Sequence, residues 1–428
     1  MGVAGGGKLG RRFGWLWASY AVSSYGTALG FGAFPLIAVL VLDSGPAQVA
    51  ALAATGRAVG ALLAVPLGPW VEFRRKRPVM VAMDLVRFAA LMSVPAAFAF
   101  GRLSFAQLLV VSVVVAAANI AFNAAGGAYL KTLVPPKDLL IANGRFESTT
   151  WTATMVGPPL GGAAIAILGP VTTVAADAVS YLLSAAGIRA IGGSEPSPPR
   201  RANLPRRASP PRAATPRRLR AGDLLEGWRA ILGQPTLRRL FFNSLTVNSL
   251  IMAAEPLLAV LLLGSLGWAP WQYGLAFALP CVGGLIGSRL ACRLVARFGQ
   301  RGVLIVSGVS RACWPVGLAF VQPGVPGIAL VMAIQFGLVT CCAVFNPVLA
   351  TYRLEHIAPD RVARTLTSWS VSSSAAIAAV TASWGLLAAL TTPRTAIAVA
   401  GLLLLATPLL LPRATSSSCP VEDPPDNT

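Results

Sequence analysis

The sequence predicts an all-α integral membrane protein with twelve transmembrane helices, arranged as two six-helix bundles that repeat in the same orientation. Three observations predict this fold: an apolar composition, long apolar runs at regular intervals, and a repeat between the two halves. Hydrophobic residues make up 55% of the 428 residues, charged residues 12%, and the mean hydropathy is +0.68. Soluble domains carry about 25% charged residues. The composition therefore predicts a protein that is embedded in a membrane.

The apolar runs are long enough to cross a bilayer, which takes about 20 residues per helix. Backbone polar groups inside lipid must be bonded internally, so the runs are predicted to be helices rather than strands. The predicted spans cover approximately residues 14–42, 48–71, 78–100, 105–130, 149–168, 170–191, 240–264, 271–296, 302–321, 325–350, 366–390 and 394–412.

The distribution of basic residues predicts the orientation. The net charge is +20, and of the 35 Lys and Arg residues all but five lie in alternate loops and at the termini; the exceptions are Arg57, Arg87, Arg102, Arg311 and Arg394. Cytoplasmic loops are enriched in Lys and Arg, so both termini are predicted to be cytoplasmic in a multi-pass protein of the cell membrane. Short loop clusters differ from the single basic face of a nucleic-acid-binding protein.

Four segments are predicted along the chain. Between Gly192 and Gly222 the sequence is rich in Pro, Arg and Ser and cannot bury apolar surface, which predicts a disordered stretch. Its basic residues leave open a contact with anionic lipid as an alternative to full solvation. The segments are a first bundle at 1–191, a cytoplasmic linker at 192–239, a second bundle at 240–412 and a disordered tail at 413–428.

An internal repeat divides the spans six and six. The sequence PLIAVLVL that begins at Pro35 recurs as PLLAVLLL from Pro256. The pair Phe122 and Asn123 recurs as Phe345-Asn346, and Arg87 has a counterpart in Arg311. Parallel repeats of this kind are typical of transporters whose substrate site lies between the halves, near the bilayer midplane.

Three motifs carry a family resemblance. After span 2, the stretch GPWVEFRRKR from Gly68 places a glycine and an acid before a basic cluster, and span 3 follows with an acid and an arginine three residues apart. Span 5 contains GPPLGG from Gly157. The residues of the first two motifs are Glu72, Arg75, Lys76, Arg77, Asp84 and Arg87, and those of the third are Gly157, Pro158, Gly161 and Gly162.

With these motifs the chain resembles the major facilitator superfamily, in its drug-efflux and enterobactin-exporter-like branch. The resemblance implies an inner-gate charge network formed by the first two motifs, and antiport for the third. The copies are imperfect, since Glu72 and Arg75 stand where Asp and Gly are usual and Ala153 replaces a glycine. Prolines in span 5 remove backbone donors and bend a helix, while its glycines allow a close neighbour.

A charged side chain inside a transmembrane span costs free energy, so such residues are candidates for a functional role. Glu255 lies deep in span 7 before Pro256, where burial would favour proton coupling, and Arg57 in span 2 is predicted at a similar depth as its outer-gate partner. Asp177 in span 6 is a second proton-coupling candidate, with a structural role as the alternative. Many relatives carry an acid after the glycine of span 1, but Thr27 stands there in this chain.

The substrate cavity is expected between spans 1, 4, 7 and 10, with few polar groups. That inventory favours a small hydrophobic or amphipathic solute such as an antibiotic, natural product or siderophore, although each polar group could instead bond a neighbouring helix. The cavity candidates are Tyr25, Phe31, Asn119, Asn123, Asn248, Gln335 and Asn346, with Phe34 as additional stacking surface.

The sequence predicts an exporter that uses proton antiport, works as a monomer and needs no cofactor. Its partners would be the solute, protons and membrane lipid, without nucleic acid. Six cysteines show no zinc spacing, and His356 stands alone, so neither a metal site nor an enzyme is expected. An importer on the same fold and a membrane sensor or scaffold without transport activity remain alternatives.

Overall fold

The computed structural model describes residues 9–30, 33–43, 46–193, 195 and 221–412. Within these residues the regular secondary structure is entirely helical. The α-helices are α1 Gly10–Leu29, α2 Ala33–Leu40, α3 Pro46–Ala64, α4 Leu67–Glu72, α5 Lys76–Ala99, α6 Phe105–Leu133, α7 Leu139–Leu168, α8 Pro170–Arg189, α9 Ala221–Gly233, α10 Pro235–Ala259, α11 Pro270–Ala278, α12 Cys281–Cys313, α13 Val325–His356, α14 Val362–Leu390 and α15 Pro393–Ala406.

The all-helical membrane fold is confirmed. Nine helices among the described residues are long and apolar enough to cross a membrane, or ten when the bent pair Pro136–Gly157 and Pro159–Leu168 counts as one span. One of the nine, Gln272–Phe320, covers two predicted spans, and the positive φ of 73° at Gly299 turns the chain between them. The exact number of twelve spans stays a prediction. Most of the Pro/Arg-rich stretch and the tail after residue 412 lie outside the described residues.

Part of the predicted linker forms a helix that packs on the second half. α9 lies against α14, where Trp228 Nε1 donates a hydrogen bond to Ser372 Oγ at 2.8 Å. Gly227 allows this approach, because a Cβ there would come closer than 3.0 Å to the Ser368 hydroxyl. α10 begins at Pro235, five residues before the predicted start at 240. The linker therefore contributes structure to the bundle.

The sequence repeat corresponds to a repeat in space. In the first half, the Arg87 guanidinium carbon lies 4.4 Å from the centroid of the Phe122 ring. In the second half, Arg311 lies 3.5 Å from the Phe345 ring. Their surroundings differ, since Arg87 pairs with Asp84 whereas Arg311 donates to Asn243 Oδ1 at 2.6 Å. Each half thus has an equivalent contact between an arginine and a phenylalanine ring, but the two arginines have different polar partners.

The glycine-proline motif of α7 bends the helix and brings it against α1. The two parts of α7 meet at 45° between Gly157 and Pro159. A Cβ at Gly157 would lie closer than 3.0 Å to Ala28, and one at Gly161 would lie closer than 3.0 Å to the Leu29 carbonyl oxygen. Gly162 has nothing within 4 Å of its would-be Cβ. Two of the motif's glycines therefore serve helix packing.

We expect Gly161→Ala to destabilise the folded protein by about 1–3 kcal/mol, because the added methyl group would push α1 away from α7. Thermal unfolding in detergent measures the effect as a lower midpoint. Gly162→Ala is the matched control, since its methyl group meets open space. Equal midpoints for the two variants would contradict the packing role.

Candidate functional site

The two halves are joined at one end of the bundle, which we call the basic end because the loop Arg74–Arg77 and the turn after Arg297 lie there. Asn143 Nδ2 of α7 donates to Thr351 Oγ1 of α13 at 2.8 Å. The hydroxyl oxygens of Ser148 and Ser288 lie 2.6 Å apart. Lys131 donates to the carbonyl oxygen of Ile357. These bonds hold the basic end closed.

A buried ion-pair cluster strengthens the junction at the basic end. Arg364 Nε of α14 lies 3.0 Å from Glu72 Oε2 at the end of α4, and both side chains are only 4% exposed. The same guanidinium pairs with Glu226 of α9. Glu72 lies directly after the predicted span 48–71. Burial raises the pKa of its carboxyl to about 7, although the positive charge of Arg364 acts to lower this pKa. Arg364 thus links Glu72 of the first half to α9 and α14.

The basic members of the predicted inner-gate network stay within the first half. Lys76 Nζ donates to the backbone carbonyls of Val71 and Arg74, both at 2.9 Å. Arg77 Nε donates to the Ile188 carbonyl at 3.1 Å, and the Arg75 side chain is exposed. Lys76 therefore satisfies carbonyls at the end of α4, and Arg77 satisfies one at the end of α8.

Asp84 and Arg87 have different contact partners from Glu72, and the inner-gate network that joins them stays a prediction. The two side chains pair with each other, both buried. The Arg87 guanidinium carbon lies 4.2 Å from the Tyr181 ring, and its Nη1 donates to Asn119 Oδ1 at 3.3 Å. The i,i+3 spacing on α5 favoured the pair itself; the aromatic surroundings come from α6 and α8.

Asp177 belongs to this same cluster. It lies one helical turn from Tyr181 on α8 and is only 9% exposed. The Tyr181 hydroxyl is 2.6 Å from Thr27 Oγ1 of α1. Gly30, directly after α1, leaves room for the Asp177 carboxyl, because a Cβ there would lie 3.2 Å from Oδ2. Two acids and one arginine therefore meet inside the first half.

A cavity of about 220 Å³, which we call the central cavity, lies between the halves, beside the closed basic end. Its wall is mostly aliphatic and aromatic, with a few polar groups from both halves. Such a wall suits a ligand that is largely apolar with a small number of hydrogen-bonding groups. The lining residues include Leu16, Tyr20, Met80, Phe122, Asn123, Asn143, Phe146, Arg353, Leu366 and Ser370.

Of the predicted cavity residues that the structure describes, only Asn123 lines this cavity. Tyr25 lines a second cavity, described below, and Asn119 bonds Arg87. Asn248 and Gln335 are partly buried away from the lining. Phe31 lies outside the described residues.

Glu147 is a carboxylate at the junction that the sequence reasoning missed. Its Oε1 accepts hydrogen bonds from Trp151 Nε1 and from Asn346 Nδ2, each at 2.9 Å. Asn346 belongs to the second half, so the bond crosses between halves. Glu147 went unnoticed because span 5 was predicted from residue 149, whereas α7 begins at Leu139. Asn346, predicted as a cavity residue, serves instead as the partner of this acid.

Glu255 is exposed in this conformation, which differs from the expected burial. It lies on α10 directly before Pro256, some twenty residues from the basic end of that helix. The contacts described above join the halves at the other end, which explains the exposure. The side chain of Arg57 lies outside the described residues, so the pair of Arg57 and Glu255 stays a prediction. Within the described part of the chain, no group of three or more His, Cys, Asp and Glu residues could hold a metal ion.

An all-helical membrane protein with two related halves and a cavity between them has the architecture of a secondary transporter. The model of the Major Facilitator Superfamily matches residues 16–340. The chain belongs to this family, as its motifs predicted. Membrane location and transport of small molecules follow from that membership.

Relatives of this chain include the multidrug efflux pump Tap of Mycobacterium bovis and of Mycobacterium tuberculosis. Each is 26% identical over 287 residues, which cover 65% of this chain and 65% of the relative. The match thus spans just under two thirds of the pump's length.

Solved structures share the fold. A bacterial homologue of the iron transporter ferroportin, crystallised in the outward-facing state, aligns with a TM-score of 0.76 at 16% identity, over 94% of this chain and 98% of its own. The human organic anion transporter MFSD10 aligns with a TM-score of 0.71 at 14% identity, over 94% and 99%. At these identities the likeness concerns the fold alone.

We expect Arg364→Gln to destabilise the protein by about 3–5 kcal/mol, because it leaves the buried Glu72 without the cation that pairs with it. Arg361→Gln is the matched control: it removes an arginine 3.5 Å from the same Glu226, but one that is 50% exposed. Exposed pairs contribute about 0–1 kcal/mol. Thermal unfolding of both variants measures the difference, and similar small effects would contradict a buried ion pair.

Proposed function

We propose that the protein exports a small hydrophobic or amphipathic molecule across the cell membrane by proton antiport and alternating access. The observation that carries the proposal is the mostly apolar cavity between the halves, next to a closed basic end. The similarity to the multidrug efflux pump Tap supports this class of substrate. An antibiotic, another natural product or a siderophore fits it, and the protein would act as a monomer with both termini cytoplasmic.

Alternating access requires that the halves separate at the basic end. On the proposed orientation this end is cytoplasmic, and a solute would enter there when the junction opens. Opening would break the bonds of Asn143, Ser148 and Lys131 to the second half and the ion pair of Arg364 with Glu72. The helices of each half would move as a body around the cavity.

Export rather than import is supported by the α7 motif and by the apolar cavity. The resemblance associates this motif with antiporters, and Gly157 and Gly161 fix α7 against α1. An importer on the same fold would accumulate the solute inside intact cells, which a transport assay distinguishes.

Three carboxyl groups are candidates for proton coupling. Glu255 and Asp177 follow from the sequence, and we add Glu147, because its bond to Asn346 crosses the junction and would be lost if the halves separate. Opening of the basic end would remove that donor and change how strongly the carboxylate is stabilised. Protonation of Glu147 would thereby be linked to the separation of the halves.

We expect expression in an efflux-deficient host to lower the accumulation of at least one compound from a panel of antibiotics and siderophores. A protonophore should abolish the effect, because the proton gradient supplies the energy. Unchanged accumulation across the panel would favour a sensor or scaffold, and protonophore-sensitive accumulation inside the cells would favour import.

For the substrate so found, we expect Glu147→Gln to abolish gradient-driven export, while substrate binding is retained. The amide keeps an oxygen that can accept the bonds from Asn346 and Trp151, so the variant removes the ionisable proton and not the contact. Glu255→Gln tests a second of the three candidates in the same assay. Glu355→Gln, an exposed acid at the basic end, is the control. Full export by Glu147→Gln between about pH 6 and 8 would remove this residue from the coupling role.

A further inference from the structure

A second cavity, of about 480 Å³, opens on the flank of the molecule between α1, α7 and α12. We call it the flank cavity. It is bounded by α1 and α7 of the first half and by α12 of the second half, so it straddles the junction. Its lining includes Trp17, Arg145, Thr149, Thr152, Arg289 and Cys292.

The flank cavity faces away from the central cavity. On α7, Asn143 and Phe146 line the central cavity, whereas Arg145 and Thr152 line the flank cavity. At 3.6 residues per turn these two sets lie roughly half a turn apart on the helix. A ligand in the flank cavity would therefore approach from the surrounding bilayer and not along the transport pathway.

The flank cavity is cationic and rich in hydroxyl groups. Arg145 and Arg289 approach it from opposite halves, both side chains are exposed, and none of its described lining residues is acidic. The Thr149 hydroxyl accepts a hydrogen bond from Trp17 Nε1 at 2.9 Å, which joins α7 to α1 within the lining of the cavity. Arginine binds phosphate oxygens through paired N–H donors. The chemistry of this wall fits a phosphate group.

Both arginines lie near the basic end rather than at the bilayer centre. Arg145 is six residues from the start of α7 at Leu139, about 9 Å along the helix, and Arg289 is ten residues before Gly299, about 15 Å. The hydrocarbon core begins several ångströms below the headgroup surface, and long basic side chains reach back toward that surface. Beside the cavity, Val282 and Ile286 expose apolar surface, 37% and 42% respectively.

We propose that the flank cavity binds an anionic phospholipid of the leaflet at the basic end. The lipid phosphate lies between Arg145 and Arg289, and an acyl chain follows the exposed apolar face of α12. Because the two arginines belong to different halves, the bound lipid bridges them and stabilises the conformation that is closed at the basic end. Basic pockets between transmembrane helices are known to recognise anionic headgroups.

The first test is lipid binding to the full-length protein in detergent, measured by native mass spectrometry with phosphatidylglycerol. Each basic residue near an anionic headgroup contributes about 1 kcal/mol, so Arg145→Gln with Arg289→Gln should weaken binding about 30-fold. Arg238→Gln with Arg239→Gln removes two exposed charges at the basic end of α10, outside the cavity, and should leave binding within about twofold of the parent. Equal weakening by both double variants would overturn the site.

A second readout is the thiol of Cys292, which lines the flank cavity. In nanodiscs, maleimide labelling of Cys292, followed by peptide mapping, should be slower with phosphatidylglycerol than with phosphatidylcholine alone. The Arg145→Gln, Arg289→Gln variant should lose that protection. Inorganic phosphate in phosphatidylcholine nanodiscs tests a free anion as the source, and protection by it equal to that of phosphatidylglycerol would overturn the lipid assignment. Equal labelling in the two lipids would overturn the site itself, whereas failure of export in the earlier assay would not.

Discussion

The observed conformation depends on the ion pairs of the buried Arg364 guanidinium. A charge withdrawn from water is tolerated only with partners close by, and Arg364 finds Glu72 at 3.0 Å from the first half and Glu226 from α9. Three chain segments that are far apart in sequence are therefore held at one point. The neutral bonds of Asn143 and Ser148 add directional contacts along the same junction.

Closure at the basic end accounts for the placement of the other functional groups. The central cavity lies beside this junction, and Glu147 reaches across it to Asn346. Asp84, Arg87 and Asp177 are buried inside the first half, where charges pair locally and do not depend on closure. Separation of the halves would therefore break the contacts of the junction and leave those of the internal cluster in place.

The sequence predicted those features that follow from local chemistry. Apolar runs predicted the helical membrane fold, the motif at Gly157 predicted the bend in α7, and the i,i+3 spacing predicted the pair of Asp84 and Arg87. Partners across the junction could not be predicted, because hydropathy gives no distances between helices that are remote in sequence. Glu147 was overlooked because its helix starts ten residues earlier than the apolar run indicated.

Cross-linking the junction tests the central claim, that the halves must separate at the basic end during transport. The hydroxyl oxygens of Ser148 and Ser288 are 2.6 Å apart, so cysteines at both positions (Ser148→Cys, Ser288→Cys) are close enough for a disulfide. In a chain without its native cysteines, we expect oxidation to abolish export of the identified substrate and reduction to restore it. Full export by the cross-linked protein would contradict the claim.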